Sequence, residues 1–489
     1  MVWLFPYKIY GYSLWIMQRY YKIEPSLFFD SGNTGFGNYN GIIQKINVIN
    51  KLDLNYIILP NPLEIYKSSF PEEIVFNENK FGSFDDFKNM IYILDKNELS
   101  PLIEIDLLKI NEIIIWFKNL KDYQKTNKEN LISKENENMD KTETFYISDN
   151  TYILNLNSHL KEQEEKLFDI FNYFLKLGIK GFVFKNIANE IDLKNELWLN
   201  FFKKTYSNIK TLNNEYNVIF ETSLKNIKKI KYLKNMVFDE ILVSEIDNLN
   251  CNNFSKKIKM ILKNDLIVNL TYINNVRTIN KIFNNYYLNT EISKLLLSII
   301  LLAKSKQFIY FGDEIGLNIF NPSASEFSVE TFLKDFFKKK NDKLIFTWNS
   351  NINAGFSESN TICGIYDENY KLNNYKIQRN EPNSTLHFYK KLISFTNSDN
   401  FIKLIKNCNI KISSFLNLLK IKFISLDYSL TLYANFSQVK RNIKRFQTES
   451  IIFSNYNFDR NLIKDKNFVN PYEAILIIDN PYFKDEFNW

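Results

Sequence analysis

The chain is poor in the residues that cross-link or punctuate a fold: 489 residues contain three cysteines, ten prolines and twelve glycines. Cys251, Cys363 and Cys408 lack ligand spacing, so they form neither a disulfide framework nor a zinc site. One pair could bridge and leave one thiol, which does not fix the compartment. No apolar run reaches eighteen residues, so nothing in the sequence spans a bilayer. A strong charge bias is missing as well. The net charge of +7 is what remains of 62 cations and 55 acids spread along the whole length, which reads as a solvated surface and not a nucleic-acid-binding face.

What is present is a globular composition, 45% apolar and 24% charged, in a chain long enough for two or three domains. Asn, Lys, Ile and Phe are abundant, a bias that points to the base composition of the genome. Sequons at Asn253, Asn269, Asn383 and Asn435 permit N-glycosylation in a secreted chain, although a handful is expected by chance where Asn is so common. The opening stretch MVWLFPYKIYGYSLWIM is aromatic but broken by Pro6 and Lys8, and has neither a basic start nor a small-residue cleavage site. Residues 1–14 read as an N-terminal or juxtamembrane segment.

From residue 15 to about 400, short apolar runs alternate with amphipathic segments. YYKIEPSLFF, LNYIILPNP, PLIEIDLL, GFVFK, NVIFET, DEILVSEI, DLIVNLTYI and QFIYFGDEIGL read as eight buried strands. Between them GIIQKINVINKL, SFDDFKNMIYILDKNE, LKEQEEKLFDIFNYFLKLG, ELWLNFFKKTYSNI, LKNIKKIKYLKN and SKLLLSIILLAKS read as helices. Ser83 and Asp86 mark a capped start for the second of these. The pattern predicts a parallel α/β fold, most economically a (β/α)8 barrel; periodicity alone leaves a doubly wound sheet open. Residues 119–150 are polar and nearly free of aliphatics, a surface excursion after strand three. Residues 401–489 carry strands without long helices and predict a small antiparallel β domain.

Several of these stretches, in order, resemble the α-amylase family of glycoside hydrolases (family 13), in particular its α-glucosidase branch. YKIEPSLFFDSGNTGFGNYNGIIQKI is similar to its first strand, glycine-bearing loop and first helix, and FGSFDDFKNMI to the entry to its second helix. QFIYFGDEIGL is similar to the end of its eighth strand, and FTWNSNINAGFS to a downstream segment. The resemblance covers roughly residues 15–360. It implies a (β/α)8 TIM barrel with a reduced loop insertion after strand three and a C-terminal antiparallel β-sandwich.

A retaining glycosidase needs a carboxylate nucleophile and a carboxylic acid about 5 Å apart across the sugar. The resemblance places the nucleophile at the end of strand four in a Gly-Phe-Arg-x-Asp pattern. This chain reads Gly181-Phe182-Val183-Phe184-Lys185, with Val183 at the arginine position and Lys185 at the nucleophile position. A protonated amine has no lone pair with which to attack. The general-acid position at the end of strand five is Glu221. The transition-state aspartate position falls on Asn274, the histidine before it on Ile273, and the substrate histidine after strand three on Asn111. The only histidines, His159 and His387, are elsewhere. The loop that binds calcium in some relatives reads Asp30, Gly32, Thr34 and Asn38, one carboxylate where a hard cation prefers several. No metal and no cofactor is expected, and Lys185 is expected to pair with Glu221 or a neighbouring acid.

One of three family carboxylates is retained, so an inactive homologue is expected. SLWIMQRYYKI, LNYIILPNPLEIYKSSFPEEIVFNENKFGSFDDF and KNIANEI resemble the heavy-chain ectodomains of heteromeric amino-acid transporters, a group that lacks the catalytic set. This implies a non-catalytic subunit at the extracellular face of the plasma membrane, partnered by a multi-span transporter light chain. The membrane would be reached through that partner or through an upstream helix, with Lys8, Trp15 and Arg19 near the lipid heads. A soluble pseudoenzyme that binds a glycan or a protein is the second reading. The third is an α-glucosidase with a relocated nucleophile, for which Glu190 and Asp192 just beyond strand four are candidates.

Overall fold

The computed structural model describes residues 17–62, 81–106, 146–147, 151–152, 156–185, 196–243, 251–268, 272–273, 276–277, 286–302, 306–317, 344–444, 449–457 and 466–480. Eight short strands form one parallel sheet: β1 (Gln18–Lys22), β2 (Tyr56–Leu59), β3 (Ser100–Asp106), β4 (Gly181–Lys185), β5 (Asn217–Thr222), β6 (Glu240–Val243), β7 (Ile267–Val268) and β8 (Lys306–Tyr310). Their order is β8-β1-β2-β3-β4-β5-β6-β7. The edge strands β7 and β8 approach each other. Lys306 of β8 pairs with Asp265 ahead of β7 at 3.3 Å and also with Glu240 of β6, so the sheet curls into the expected barrel.

Register sorts the side chains. Partners in a parallel ladder share a face, and Tyr20 pairs with Tyr56, Glu104 with Val183, Asp106 with Lys185, and Glu221 with Leu242. Tyr20 stacks on Tyr56 with centroids 4.7 Å apart and accepts a hydrogen bond from Asn217 of β5 at 3.0 Å, a contact made across the barrel interior. Lys22, Glu104, Lys185 and Glu221 lie on this inner face, toward the C-terminal strand ends. The alternate residues face outward: Phe182, Phe184 and Phe220 pack edge-on or tilted against Phe171, Phe202 and Phe238. This double burial is why the strands read as continuous apolar runs.

Helices α1 (Tyr39–Gln44), α2 (Phe84–Lys96), α3 (Leu156–Lys176), α4 (Glu196–Leu212), α5 (Cys251–Asn264), α6 (Tyr286–Leu302), α7 (Thr385–Thr396) and α8 (Asp399–Asn407) accompany the strands. The predicted start of α2 is a capping box. Ser83 Oγ accepts from the Asp86 N–H, and the Asp86 carboxylate accepts from the Ser83 N–H at 2.8 Å. The helix expected over LKNIKKIKYLKN is instead one α turn, Ile227–Ile230, between two 3-10 turns. Lys234 leaves it at ψ 138°, so the chain turns straight into β6.

Arg19 is not a lipid-facing residue. Its guanidinium is buried on the outward side of β1, donating to Asp53 at 2.8 Å, Gln307 at 2.8 Å, Thr396 at 3.0 Å and Asn397 at 2.7 Å. It ties β1 to β8 and to the end of α7. Lys8, Trp15 and the whole 1–14 segment lie outside the described residues, as does nearly all of 119–150.

After α8 the chain forms an antiparallel sheet of β9 (Asn409–Phe415), β10 (Leu418–Ile424), β11 (Ser429–Asn435), β12 (Ser450–Ser454) and β13 (Ala474–Ile478), in the order β9-β10-β11-β13-β12. A two-residue ribbon pairs Arg441–Asn442 with Phe468–Val469, and its Val469 joins a second small apolar cluster with Tyr433, Ile475 and Ile477. β11 is therefore buried on both faces, as in a sandwich. The Asn435 sequon is unusable in this fold. The side chain is fully buried, and its Nδ2 donates to the carbonyls of Val439, Val469 and Asn470. Asn383 is exposed, Asn253 lies in α5, and Asn269 lies outside the described residues.

Candidate active site at the strand ends

Gly181 opens β4 at φ +150°, where a β-carbon would meet the Asn217 carbonyl oxygen at 1.9 Å. Only glycine lets β4 and β5 approach this closely at their starts, which sets the height at which Lys185 and Glu221 emerge. Val183 is buried one inward step below Lys185.

Lys185 pairs with Glu104 of β3 and not with Glu221, Nζ to Oε2 at 3.5 Å. The other oxygen of Glu104 accepts from Lys22 of β1 at 2.7 Å, and Lys22 also reaches Glu24 at 3.5 Å. Glu104 and Lys22 share the inner face with Lys185 at the same end of the barrel; Glu221 shares that face too, but no hydrogen bond or ion pair among the described residues holds it. Burial alone would push the Glu104 carboxyl up, but Lys185 and Lys22 outweigh it and hold the group below its usual range. Burial likewise opposes the Lys22 ammonium, and Glu104, Glu24 and Glu221 together raise it above the ordinary value. Lys185 is raised chiefly by Glu104, with Lys22 opposing. Position 185 therefore carries a fixed cation and offers no nucleophile.

Glu221 is half-buried at the end of β5. It is near enough to favour the charged forms of Lys22 and Lys185. Asn111, Asn274, Glu190 and Asp192 lie outside the described residues. Ile273 falls in a short antiparallel pair, Tyr272–Ile273 with Val276–Arg277. The sequence reading missed Lys22, Glu24 and Glu104 as site residues. Their signal was a charge at or just past the C-terminal end of an apolar strand, in YYKIE and LIEID.

The loop after β1 is organised by Asp30. Its buried carboxylate accepts from Gly32 N at 3.0 Å, Gly35 N at 2.7 Å, Ser357 Oγ at 2.6 Å and, at 3.5 Å, Thr34 Oγ1. Asn38 instead caps α1 by accepting from Gly41 N at 2.7 Å. Among the described residues no group of three His, Cys, Asp or Glu side chains could hold a metal ion. The FTWNSNINAGFS segment seats on this loop: Trp348 Nε1 donates to the Phe28 carbonyl at 2.7 Å and Asp30 N to Phe356 O at 3.1 Å. The two segments singled out from sequence thus form one unit beside the strand ends.

Comparison with known proteins agrees with this architecture. Residues 203–404 match the family model described as alpha amylase, catalytic domain. Over 123 residues, 21% of this chain and 22% of the relative, the sequence is 35% identical to the probable oligo-1,6-glucosidase 3 of Bacillus subtilis (strain 168). It is 27% identical to the oligo-1,6-glucosidase of Parageobacillus thermoglucosidasius over 27% of this chain and 28% of that one. The matches thus span between a fifth and about a quarter of the length of these curated relatives. In fold, the trehalose-6-phosphate hydrolase of Bacillus licheniformis superposes with a TM-score of 0.72 at 17% identity, covering 95% of this chain and 99% of that one. The trehalulose synthase of Pseudomonas mesoacidophila MX-45 gives 0.70 at 13%, covering 96% and 100%.

These relatives are named as enzymes and not as transporter subunits. The expectation of a non-catalytic heavy chain for an amino-acid transporter is overturned by them, and the expectation of an inactive homologue falls with it. That expectation rested on two of the three family carboxylate positions reading Lys185 and Asn274; the strand ends nevertheless present Glu104 and Glu221. No helix among the described residues is long and apolar enough to cross a membrane.

Proposed function

We propose that this chain, whose barrel carries an alpha-amylase-family catalytic domain, cleaves or transfers α-linked glucosyl groups, with Glu221 as the proton donor. The observation that carries the reading is the division of labour among the strand-end charges. Lys22 and Lys185 both pair with Glu104, while Glu221 stands half-buried with no hydrogen bond or ion pair among the described residues. A general acid needs that freedom to reach a leaving oxygen. The sequence match to curated glucosidases supports the choice of an α-glucoside as substrate.

The carboxylate that completes the reaction is not at position 185, because an ammonium there cannot attack or stabilise an oxocarbenium-like centre. Glu190 and Asp192, in the segment that follows β4, are the candidates for a relocated nucleophile. The test is release of nitrophenol from a chromogenic α-glucoside. The wild type is expected to turn over, and Glu221→Gln to lose roughly 100- to 10,000-fold in rate. An active wild type whose rate is untouched by E221Q, or a folded wild type with no turnover on α-glucosides, would overturn the reading.

A further inference from the structure

The triad of charges has an asymmetry. Lys22 is engaged twice, by Glu104 at 2.7 Å and by Glu24 at 3.5 Å, and only 12% of its side chain is exposed. Lys185 has one ion-pair partner among the described residues, the same Glu104, at the longer distance of 3.5 Å, and 30% of its side chain is exposed. An ammonium carries three donors, so at least two of those on Lys185 have no acceptor among the described residues. The Glu104 charge is divided between the two cations, one carboxylate oxygen to each. We infer that Lys185 is a specificity-determining residue that receives an anionic substituent, a carboxylate or a phosphate ester, on the sugar at the strand ends.

Glu24 and Glu104 both engage Lys22, Leu242 and Val243 close the β6 side without charge, and Asp106 and Glu221 end the strands on either side of β4, which leaves Lys185 as the cation with open donors. A charged acceptor on a partly buried ammonium forms the stronger class of hydrogen bond. The inference rests on the strand ends being the sugar site, as proposed above, and deepens that reading by naming the class of sugar.

Equilibrium binding separates the two claims, because it needs no turnover. Methyl α-glucoside, methyl α-glucuronide and glucose 6-phosphate are titrated into the full chain at low and high salt. At least one anionic sugar is expected to bind about tenfold or more tighter than the neutral one, with a preference that shrinks as salt is added. The two anions distinguish a carboxylate from a phosphate. Lys185→Met should abolish the preference and leave neutral-sugar binding, while Lys185→Arg keeps most of it. Equal affinity for all three sugars in the wild type, or a preference that survives Lys185→Met, overturns the inference. The wild-type comparison decides the matter even if the variants fold poorly. Binding without hydrolysis would instead count against the proposed function alone.

Discussion

Glu104 accepts from two ammonium groups at the mouth of the barrel with 6% of its side chain exposed. Removing one member of such a cluster strands the others, a larger effect than the net contribution of the pair. Glu104→Gln should therefore cost about 3–5 kcal/mol in denaturant unfolding. Its pH dependence has a definite sign. The folded-state pKa of Glu104 is depressed, so its stabilisation is present above the unfolded carboxyl value near about 4.3 and is lost as pH falls through the folded value. Lys22 and Lys185 are raised, so theirs is present below the unfolded lysine value near about 10.4 and is lost as pH climbs through the folded one. The gap between wild type and variant should be flat between these limits and narrow at both ends. A gap under about 0.5 kcal/mol at neutral pH would show the cluster to be a surface-like pair. At this scale the sequence made Lys185 legible, because a lysine ending GFVF is an anomaly by itself. Its partner was not legible, since Glu104 and Glu221 flank β4 on the same inner face and only the side-chain geometry separates them.

Among the elements, β4 illustrates how a strand is fixed by its first residue. Gly181 brings its backbone against Asn217, and Asn217 in turn donates to Tyr20 across the barrel. Gly181→Ala must either push β4 from β5 or abandon φ +150°, and is expected to cost about 2–4 kcal/mol. Urea unfolding measures this directly, and a change within about 0.5 kcal/mol would mean that the strands part freely. All eight strands were readable as short apolar runs, because a barrel buries both faces of its sheet. The α2 start was readable because a capping box is a local signal. The segment before β6 was misread as one helix, since its apolar spacing suits a helix while the connection must reverse within a few residues. Helix α5 was overlooked although Cys251, Ile258, Ile261 and Leu262 keep helical spacing, because Asn and Lys dominate the rest of the segment.

At the scale of the whole molecule, the barrel and the C-terminal sheet are fastened by a buried polar knot that no sequence pattern announced. Asn455, just past β12, is fully buried. Its Nδ2 donates to the Glu291 carbonyl at 3.0 Å, the Glu291 carboxylate at 2.9 Å and the Tyr472 carbonyl at 3.1 Å, and its Oδ1 accepts from Ala474 N at 2.7 Å. Glu291, on α6, also accepts from Lys294 at 2.9 Å. One amide thus joins a barrel helix to β13, and the 164 residues separating Asn455 from Glu291 hid the contact from local reading. Asn455→Leu removes the acceptor of the buried Ala474 N–H and one donor from the Glu291 carboxylate, and should cost about 3 kcal/mol. The pH adds a second signature. Burial pushes the Glu291 carboxyl up despite Lys294, so this group works against folding increasingly as pH rises from its unfolded value toward its folded one. Asn455 offsets part of that penalty by donating to the ionised form. Without it the penalty grows, so the deficit of the variant should be larger at about pH 7 than at about pH 4. Calorimetry at the two pH values tests this: a deficit that is equal at both would assign the loss to packing alone and remove Glu291 from the fastening of the two domains.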